Sequence, residues 1–337
     1  MRLGLAVPHY DSTVTGAAVA WEPILDIARR AEAGGFSSLW VSDHLFLDFS
    51  KYGAPDQRLG SFECWATLSA LAASTSSLRL GTLTLCNEFR NPALVAKMAA
   101  SLDFLSGGRL DLGLGAGWYE PEFHAAGLPW RSAGERIRRL EEAATITRRL
   151  LEGEELTWSG NHYRVDGAVV RPRSIQRPHP PIWIGGKGDL LLAAAARSAD
   201  GWNWSWLGSI EAYRERAREA SRACERIDRD PATLRRSVGA HVLVGRNDAD
   251  LRRRWERLAR ATPTGVLRKI CGGGPISLEA YGRIRFTGTA QRVAELVGSL
   301  EELGVEELVV SLGALPFQAA HPDDVEVVGG EIASALG

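Results

Sequence analysis

The chain has 337 residues, 45% of them hydrophobic, and so can bury a large core without disulfides or a structural metal. Its 40 basic and 41 acidic residues give a formal net charge of -1, which argues against nucleic acid or an anionic membrane as the main partner. The four cysteines form neither a CxxC pair nor a zinc-type spacing, which indicates reduced thiols. Because the N-terminal apolar run is too short for a signal peptide and no stretch approaches a membrane span, we expect a cytoplasmic protein.

Short apolar runs alternate with amphipathic stretches along the whole chain, a pattern typical of a parallel sheet with crossover helices. The first helix shows the spacing clearly, since a stripe from Ile24 to Ala31 shares one face before Gly34-Gly35 ends it. Eight strands favour a closed (β/α)8 TIM barrel over a doubly wound sheet, and the first strand lacks a GxGxxG turn. The predicted strands are Arg2–Pro8, Ser38–His44, Arg79–Cys86, Arg109–Gly115, Pro181–Gly185, Gly201–Trp206, Ser237–Gly245 and Glu307–Gly313.

Two segments interrupt this alternation. Thr157–Pro172 is predicted to be a β-hairpin inserted between the fourth helix and the fifth strand. Thr262–Phe286 has a glycine-rich break and no clear period, so it is either a lid over the barrel mouth or a disordered excursion. We expect residues 1–337 to form a single domain that carries both insertions.

Polar side chains follow the second and third strands, at the end of the barrel where active sites form. The second strand ends in Ser42-Asp43-His44, which is either a site or a capping aspartate beside a hydrogen-bonded histidine, and we favour the site. His44 would donate a hydrogen bond to a carbonyl-like group or move a proton near neutral pH. Arg90 either contacts an acidic substrate group or, as we favour, pairs with Glu88 or caps a helix.

The segments after the third and fourth strands are suited to a flat ligand. The third strand opens into a small polar segment that includes Asn87, which would pack against a ring. The fourth strand ends at Gly115 and Gly117, where missing side chains let a ligand approach the backbone, and Trp118 beside them offers a packing surface. Glycine-rich turns also occur for structural reasons alone.

Three tryptophans alternate in the sixth strand. Period-two alternation places Trp202, Trp204 and Trp206 on one face and Asn203 with Ser205 on the other. We interpret Trp204 as packing outward on the helices, with Asn203 facing the barrel mouth. For Trp202 and Trp206 both interpretations stay open.

A glycine-rich loop, Gly185-Gly186-Lys187-Gly188, joins the fifth strand to a helix that begins near Leu190. Free amides at a helix N-terminus, a lysine and bare glycines are typical of a phosphate cradle. Asp189 would repel a phosphate unless its side chain caps the helix and turns away. A Schiff-base role for Lys187 is disfavoured because glycines surround it instead of an apolar pocket.

Several catalytic signatures are missing from the sequence, namely the HEXXH and HxH metal pairs, the GxSxG elbow and the P-loop. Taken in order, the strings that are present resemble the bacterial luciferase-like monooxygenase superfamily, and more closely its F420-dependent oxidoreductase branch. The resemblance runs over nearly the whole chain. It rests on Leu39-Trp40-Val41-Ser42-Asp43-His44, Arg79-Leu80-Gly81-Thr82, Arg90-Asn91-Pro92 with Lys97, Leu105-Ser106-Gly107-Gly108-Arg109, Gly115-Ala116-Gly117-Trp118-Tyr119-Glu120, Arg177-Pro178-His179-Pro180-Pro181-Ile182, Gly185-Gly186 and Ala199-Asp200-Gly201-Trp202.

The resemblance implies an F420 or FMN ring in the barrel mouth. It also implies a non-prolyl cis peptide between Leu83 and Thr84 against the back of the ring, and the family's SDH motif at Ser42-Asp43-His44. Some F420 dehydrogenases carry a tryptophan four residues after that histidine, where Asp48 stands here, which argues against a sugar-phosphate dehydrogenase.

We therefore expect an F420-dependent oxidoreductase that transfers hydride between the deazaflavin C5 and a small organic substrate. The alternatives are an FMN-dependent two-component monooxygenase that uses reduced flavin and oxygen, and a flavin-binding barrel without catalysis. The expected partners are a homodimer mate and a flavin or F420 reductase. The expected catalytic residues are His44 and Asp43, and the expected cofactor contacts are Leu83, Thr84, Asn87, Gly115, Gly117, Trp118, Gly185, Gly186, Lys187, Gly188 and Trp202.

Overall fold

The computed structural model describes residues 1–14 and 17–333. Within them, eight parallel strands close into the (β/α)8 TIM barrel that the sequence predicts, because the sixth strand pairs with the seventh. Each predicted barrel strand is present, and the third is divided into two short pieces. The strands are β1 (Arg2–Ala6), β2 (Ser38–Val41), β3 (Arg79–Thr82), β4 (Leu85–Cys86), β5 (Leu110–Gly115), β6 (Leu156–Ser159), β7 (Arg164–Ala168), β8 (Ile182–Gly185), β9 (Gly201–Trp204), β10 (Arg235–Gly245), β11 (Phe286–Thr289) and β12 (Glu307–Ser311).

Helices surround the barrel and bury the apolar faces that the sequence pattern indicates. In the first helix, Ile24, Ile27, Ala28 and Ala31 are fully buried, and Gly34 ends the helix. The helices are α1 (Trp21–Ala33), α2 (Cys64–Ser74), α3 (Pro92–Leu105), α4 (Glu120–Ala125), α5 (Ala133–Glu152), α6 (Asp189–Ser198), α7 (Ile210–Glu225), α8 (Asp248–Ala261), α9 (Thr264–Ile270), α10 (Leu278–Gly282), α11 (Ala290–Glu301) and α12 (Asp323–Val328).

Both interrupting segments are ordered. Strands β6 and β7 pair as an antiparallel hairpin between α5 and β8. The segment 262–286 contains α9 and α10, and Val266, Leu267 and Tyr281 are buried in a second apolar cluster near the barrel mouth. The disordered alternative for this segment is therefore wrong.

Strand β11 is an addition that the sequence pattern does not reveal. It pairs in parallel only with the C-terminal half of β10, from Val242↔Phe286 to Gly245↔Thr289. It thereby extends the sheet outside the closed barrel at the level of the mouth. None of the helices in the described part of the chain combines the length and apolar character needed to cross a membrane.

Candidate active site

The floor of the barrel mouth is built around Thr84, which lies between β3 and β4. The peptide bond from Leu83 to Thr84 is cis, as the family pattern implies. Two glycines make room for the threonine: a Cβ on Gly115 would lie 2.2 Å from Thr84 Oγ1, and one on Gly185 would lie 2.6 Å from Thr84 Cγ2. Small residues from two strands thus leave a low surface on which a flat ring can lie.

Asp43 is fixed by its own protein partners. It is buried, and Arg90 donates to both of its oxygens, at 2.7 and 3.0 Å, while the Cys86 amide donates to Oδ2 at 2.9 Å. Burial raises the pKa of Asp43, and the Arg90 guanidinium opposes that shift. We expected a catalytic Asp43, but this geometry is that of a residue that holds the end of β4 and the loop after it in place.

Arg90 has a different role from the one that the sequence favours. Besides Asp43 it donates to Glu63 Oε1 at 2.6 Å, and it neither pairs with Glu88 nor caps a helix. Glu88 instead accepts from Arg131 and Arg139. The sequence analysis favoured Glu88 because it lies close to Arg90 in the sequence, whereas the fold places Asp43 next to Arg90.

His44 is held by a carboxylate that the sequence analysis missed. Its Nδ1 lies 3.2 Å from both carboxylate oxygens of Glu122, and its ring meets Trp118 edge-on at 5.4 Å between centroids. Glu122 is buried and also accepts the amides of Leu45, at 2.9 Å, and Phe46, at 3.3 Å. Nε2 of His44 makes no hydrogen bond within residues 1–14 and 17–333, and the His44 side chain is 16% exposed.

Burial lowers the pKa of the other two histidines near the mouth, His9 and His241. Burial lowers the pKa of His9 to about 4, and its ring nitrogens contact the carbonyls of Val7 and Ser42. Burial, reinforced by the charge of Arg285, lowers the pKa of His241 well below its ordinary value. His44 is thus the histidine that is available for proton transfer.

The loop after β8 has the geometry of an anion cradle. Helix α6 begins at Asp189, and its first internal bond runs from the Leu192 amide to the Gly188 carbonyl, so the amides of the first turn have no helical acceptor. A Cβ on Gly188 would meet nothing within 4 Å, so this position is open to a ligand. The Asp189 carboxylate does not cap the helix; its Oδ1 accepts a hydrogen bond from Arg216 Nη2 at 2.6 Å. This removes the objection that Asp189 would repel a phosphate bound at this loop.

Two of the expected cofactor contacts are directed elsewhere. Trp202 is fully buried, is stacked on Tyr213 of α7, and donates from Nε1 to the Gly186 carbonyl at 2.7 Å. It supports the glycine loop from behind. Asn87 is buried and donates to the Tyr163 hydroxyl at 2.9 Å, which ties the loop after β4 to the hairpin.

The remaining expected contacts face the mouth or border it. Gly117 has a φ of 74°, and a Cβ there would lie 2.7 Å from Phe123, so this glycine is required by packing within the protein. Lys187 donates to the Trp206 carbonyl at 3.1 Å. The Lys51 ammonium lies 3.8 Å from the centroid of the partly exposed Trp118 ring.

The tryptophan alternation holds only for the length of β9. Trp204 packs outward against Tyr213, as expected, and Asn203 points inward to Ser237. The strand ends at Trp204, and Trp206 instead contacts His241 and Phe317 at the mouth. The two-residue alternation therefore does not apply to Trp206, because β9 ends at Trp204, and Trp206 does not share the outward face of Trp202 and Trp204.

The sequence analysis did not identify Glu122. The only sequence feature that marks this residue is its place in the first turn of α4, and an acidic residue there is ordinarily solvated and interacts with the helix dipole. Its burial depends on the approach of the segment after β2, which no local pattern encodes. Asp48 is likewise engaged, since Ser50 and the Tyr119 hydroxyl donate to its carboxylate.

Comparison with known proteins agrees with this architecture. The family model described as "Luciferase-like monooxygenase" matches residues 1–310. Among solved structures, an F420-dependent secondary alcohol dehydrogenase in complex with an F420-acetone adduct superposes with a TM-score of 0.77 at 19% identity, covering 100% of this chain and 99% of that one. At this identity the likeness shows the fold.

Two relatives in sequence differ in the cofactor that their names give. An FMNH(2)-dependent dimethylsulfone monooxygenase of Pseudomonas putida is 28% identical over 90% of this chain and 84% of its own length. An F420-dependent hydroxymycolic acid dehydrogenase of Mycobacterium tuberculosis is 31% identical over 88% of this chain and 78% of its own length. The relatives thus include both cofactor types that the sequence analysis weighed.

Proposed function

The chain belongs to the luciferase-like monooxygenase family, and we propose that it is an F420-dependent oxidoreductase that transfers hydride to or from a small organic substrate. The observation that carries the proposal is the pairing of His44 with Glu122 at the edge of the Thr84 floor. Oxidising an alcohol or reducing a carbonyl requires a proton to move beside the hydride, and this pair presents an imidazole for that step.

The residues present fit a flavin-type cofactor. The low floor at Thr84 suits a ring, and the open Gly188 together with the free amides of α6 suits a phosphate. Leu83, Gly115 and Trp118 would contact the ring, and Lys187 would add charge beside the phosphate. When bound, the deazaflavin supplies two electrons as hydride, while the protein supplies binding, orientation and exclusion of water.

The chain's own part in the reaction falls to His44. Its Nδ1 is held by Glu122, so Nε2 is the atom that would give a proton to, or take one from, the substrate oxygen. Trp118 limits the ring's freedom on one side. Asp43 and Arg90 would act indirectly, by fixing the end of β4 and the loop that follows it.

A second candidate function has its own support. The match to the FMNH(2)-dependent monooxygenase extends over 90% of the chain, and the phosphate cradle suits FMN as well as F420. Such an enzyme would use reduced flavin and oxygen and would need a reductase as a partner.

Anaerobic loading with each reduced cofactor separates these functions. We expect ketones, enones or imines from a test panel to oxidise reduced F420 that is bound to the protein. Without substrate, the bound reduced F420 should be stable to oxygen. Rapid substrate-free oxidation of protein-bound FMNH2 by oxygen, without turnover of F420, would establish the monooxygenase instead. Binding without turnover of any acceptor would indicate a flavin-binding barrel that lacks catalysis.

A further inference from the structure

Side-chain contacts join the loop after β2 to the segment that runs from the end of β5 into α4. Both segments follow the carboxyl ends of their strands, where barrel active sites form. The partners occur in opposite order along the two segments, so the contacts run side by side. In chain order they are His44 with Glu122, Asp48 with Tyr119, and Lys51 with Trp118.

The middle contact is made by a buried carboxylate. Asp48 Oδ1 accepts hydrogen bonds from the Ser50 amide, at 2.8 Å, and from the Ser50 hydroxyl, while Oδ2 accepts from the Tyr119 hydroxyl. Among the described residues no cation pairs with Asp48, and Tyr119 is its one donor from outside its own loop. Because leaving a buried acceptor without its donor is unfavourable, this hydrogen bond keeps the two segments together.

Tyr119 connects Asp48 to the helix that carries Glu122. It is the N-cap residue of α4, and its carbonyl accepts the Glu122 amide at 3.3 Å. The helix has only six residues, and a helix this short is not stable by its own hydrogen bonds. The position of Glu122 therefore depends on what holds Tyr119.

Trp118 depends on the same hydrogen bond. Its ring lies 5.3 Å from that of Tyr119 and 5.4 Å from that of His44, measured between centroids, and the Lys51 ammonium lies 3.8 Å from its centroid. The Trp118 side chain is partly exposed, so packing against the core does not fix it. A displacement of Tyr119 would thus move Trp118 together with Glu122, and both contact His44.

The loop after β2 is anchored on its other side by the segment 262–286. The Lys51 carbonyl accepts a hydrogen bond from Lys269 Nζ of α9 at 2.5 Å. A Cβ on Gly53 would lie 2.6 Å from the Gly265 carbonyl oxygen, so the two backbones are in close contact. With the loop held in this way, the hydrogen bond from Tyr119 to Asp48 determines where α4 begins relative to His44.

We propose that Asp48 is a positioning residue that acts through Tyr119 on the pair of His44 and Glu122. The hydrogen bond between Asp48 and Tyr119 keeps the Glu122 carboxylate on Nδ1 of the imidazole, which leaves Nε2 for the substrate. The inference rests on the proposed function, because that function gives His44 its part in proton transfer.

A hydrogen bond of this kind can also serve stability alone. The two roles differ in a property of His44 that stability does not determine, namely which ring nitrogen carries the proton. The hydrogen-bond partner of one ring nitrogen sets that tautomer. If Asp48 only stabilises the fold, its loss lowers the free energy of unfolding and leaves the tautomer of His44 unchanged.

The test is long-range ¹H–¹⁵N NMR of the cofactor-free protein, labelled at histidine and measured at alkaline pH. H44Q identifies the His44 signals among those of the seven histidines. The variants are Y119F, D48N and the double variant, with E122Q to set the scale, since it removes the charge of the acceptor. D56N changes an exposed aspartate of the same loop and serves as the matched control.

We expect the Nδ1–H tautomer of His44 to exceed the Nε2–H tautomer by about tenfold or more in the wild type and D56N, because one hydrogen bond to a charged group supports such a ratio. Y119F and D48N should each lower the ratio by at least about threefold, toward the value of E122Q. The double variant should lower it no further, because both changes remove the same hydrogen bond.

A wild-type tautomer ratio in folded Y119F and D48N would overturn the proposal, even if urea unfolding shows a loss of stability. A wild type without a preferred tautomer would also overturn it, since no orientation would then be maintained, and so would an equal loss in D56N. If Y119F does not fold, D48N, which keeps the size of the side chain, decides alone.

The proposed function is tested separately. Failure of the wild type to bind F420 or FMN would count against that function. The tautomer measurement needs no cofactor, so it would still decide whether Asp48 orients His44.

Discussion

His44 contacts Glu122 through Nδ1, and this single contact determines which ring nitrogen meets the substrate. Glu122 also accepts the amides of Leu45 and Phe46, so it fixes the backbone after β2 together with the imidazole. An orienting carboxylate of this kind selects the tautomer of a catalytic histidine. The pair is therefore the part of the site most open to a direct test.

Replacing His44 by alanine should slow turnover without releasing the cofactor. Positioned acid–base groups contribute roughly 10²–10⁴-fold to rate, so we expect kcat of H44A to fall about a hundredfold or more. The affinity for the cofactor should stay within about threefold, because His44 is not part of the phosphate cradle at the start of α6. Steady-state kinetics with fluorescence titration checks both numbers, and unchanged turnover would remove His44 from the mechanism.

We expect Glu122 to affect turnover by orienting His44, and a double-mutant cycle tests whether the effect of changing Glu122 depends on His44. E122Q keeps the shape of the side chain but removes its charge, and we expect it to reduce kcat in the wild-type background. In the H44A background the same change should have little further effect, because residues that work as a unit are not additive. Effects on kcat that add fully would show that Glu122 only stabilises the loop.

At the scale of elements, the sequence predicts the barrel because every barrel strand is covered on both faces. Such strands appear as continuous apolar runs, and their alternation with helices is visible along the chain. Strand β11 (Phe286–Thr289) was not predicted, and among the described residues it pairs with β10 alone. A strand this short, with one partner, carries no periodic signal.

The position of the candidate residues in the fold was predictable, but their contacts were less so. Ser42-Asp43-His44 and the glycine loop lie at strand ends, where barrel sites form and where the sequence predicts them. The partners of Asp43 and His44 are 47 and 78 residues away, at Arg90 and Glu122, so only the tertiary fold pairs them. Trp202 shares a face with Trp204, as alternation predicts, but alternation does not show that Tyr213 covers that face.

The packing of glycines around the floor leads to a stability prediction. A Cβ on Gly113 would lie 2.0 Å from the Thr82 carbonyl oxygen, a backbone atom, so G113A must displace β3 from β5. We expect the free energy of unfolding to fall by about 1–3 kcal/mol, as overpacking generally causes.

Gly298 provides the control in the same assay. It lies within α11, and a Cβ there would meet nothing within 4 Å, so G298A should raise the free energy of unfolding by about 0.5–1 kcal/mol. Urea unfolding of both variants measures the two effects. A neutral G113A would show that the strands can separate without strain.

At the scale of the whole molecule, helix α3 exposes large apolar side chains, whereas α7 and α8 are rich in charge. On α3, Leu94 and Leu105 are 51% and 77% exposed and follow the spacing of one helix face. Patches of this kind mark interfaces between proteins. We therefore keep the expectation of a homodimer and place its interface here.

Light scattering during size-exclusion chromatography tests the oligomer. We expect the wild type to run as a dimer and the double variant L94E/L105E to run as a folded monomer, because two charges on each copy would be buried without partners. I227E, which changes another exposed apolar side chain, should remain dimeric. A wild type that is monomeric at micromolar concentration would contradict the expectation.

The central claim is that the barrel mouth holds a deazaflavin. Parallel titration of the purified protein with F420 and FMN, followed by cofactor fluorescence, tests it most directly. We expect tight binding of F420 and weaker binding of FMN. Preference for FMN would contradict it in favour of the oxygen-using monooxygenase, and binding of neither would contradict the assignment of the site itself.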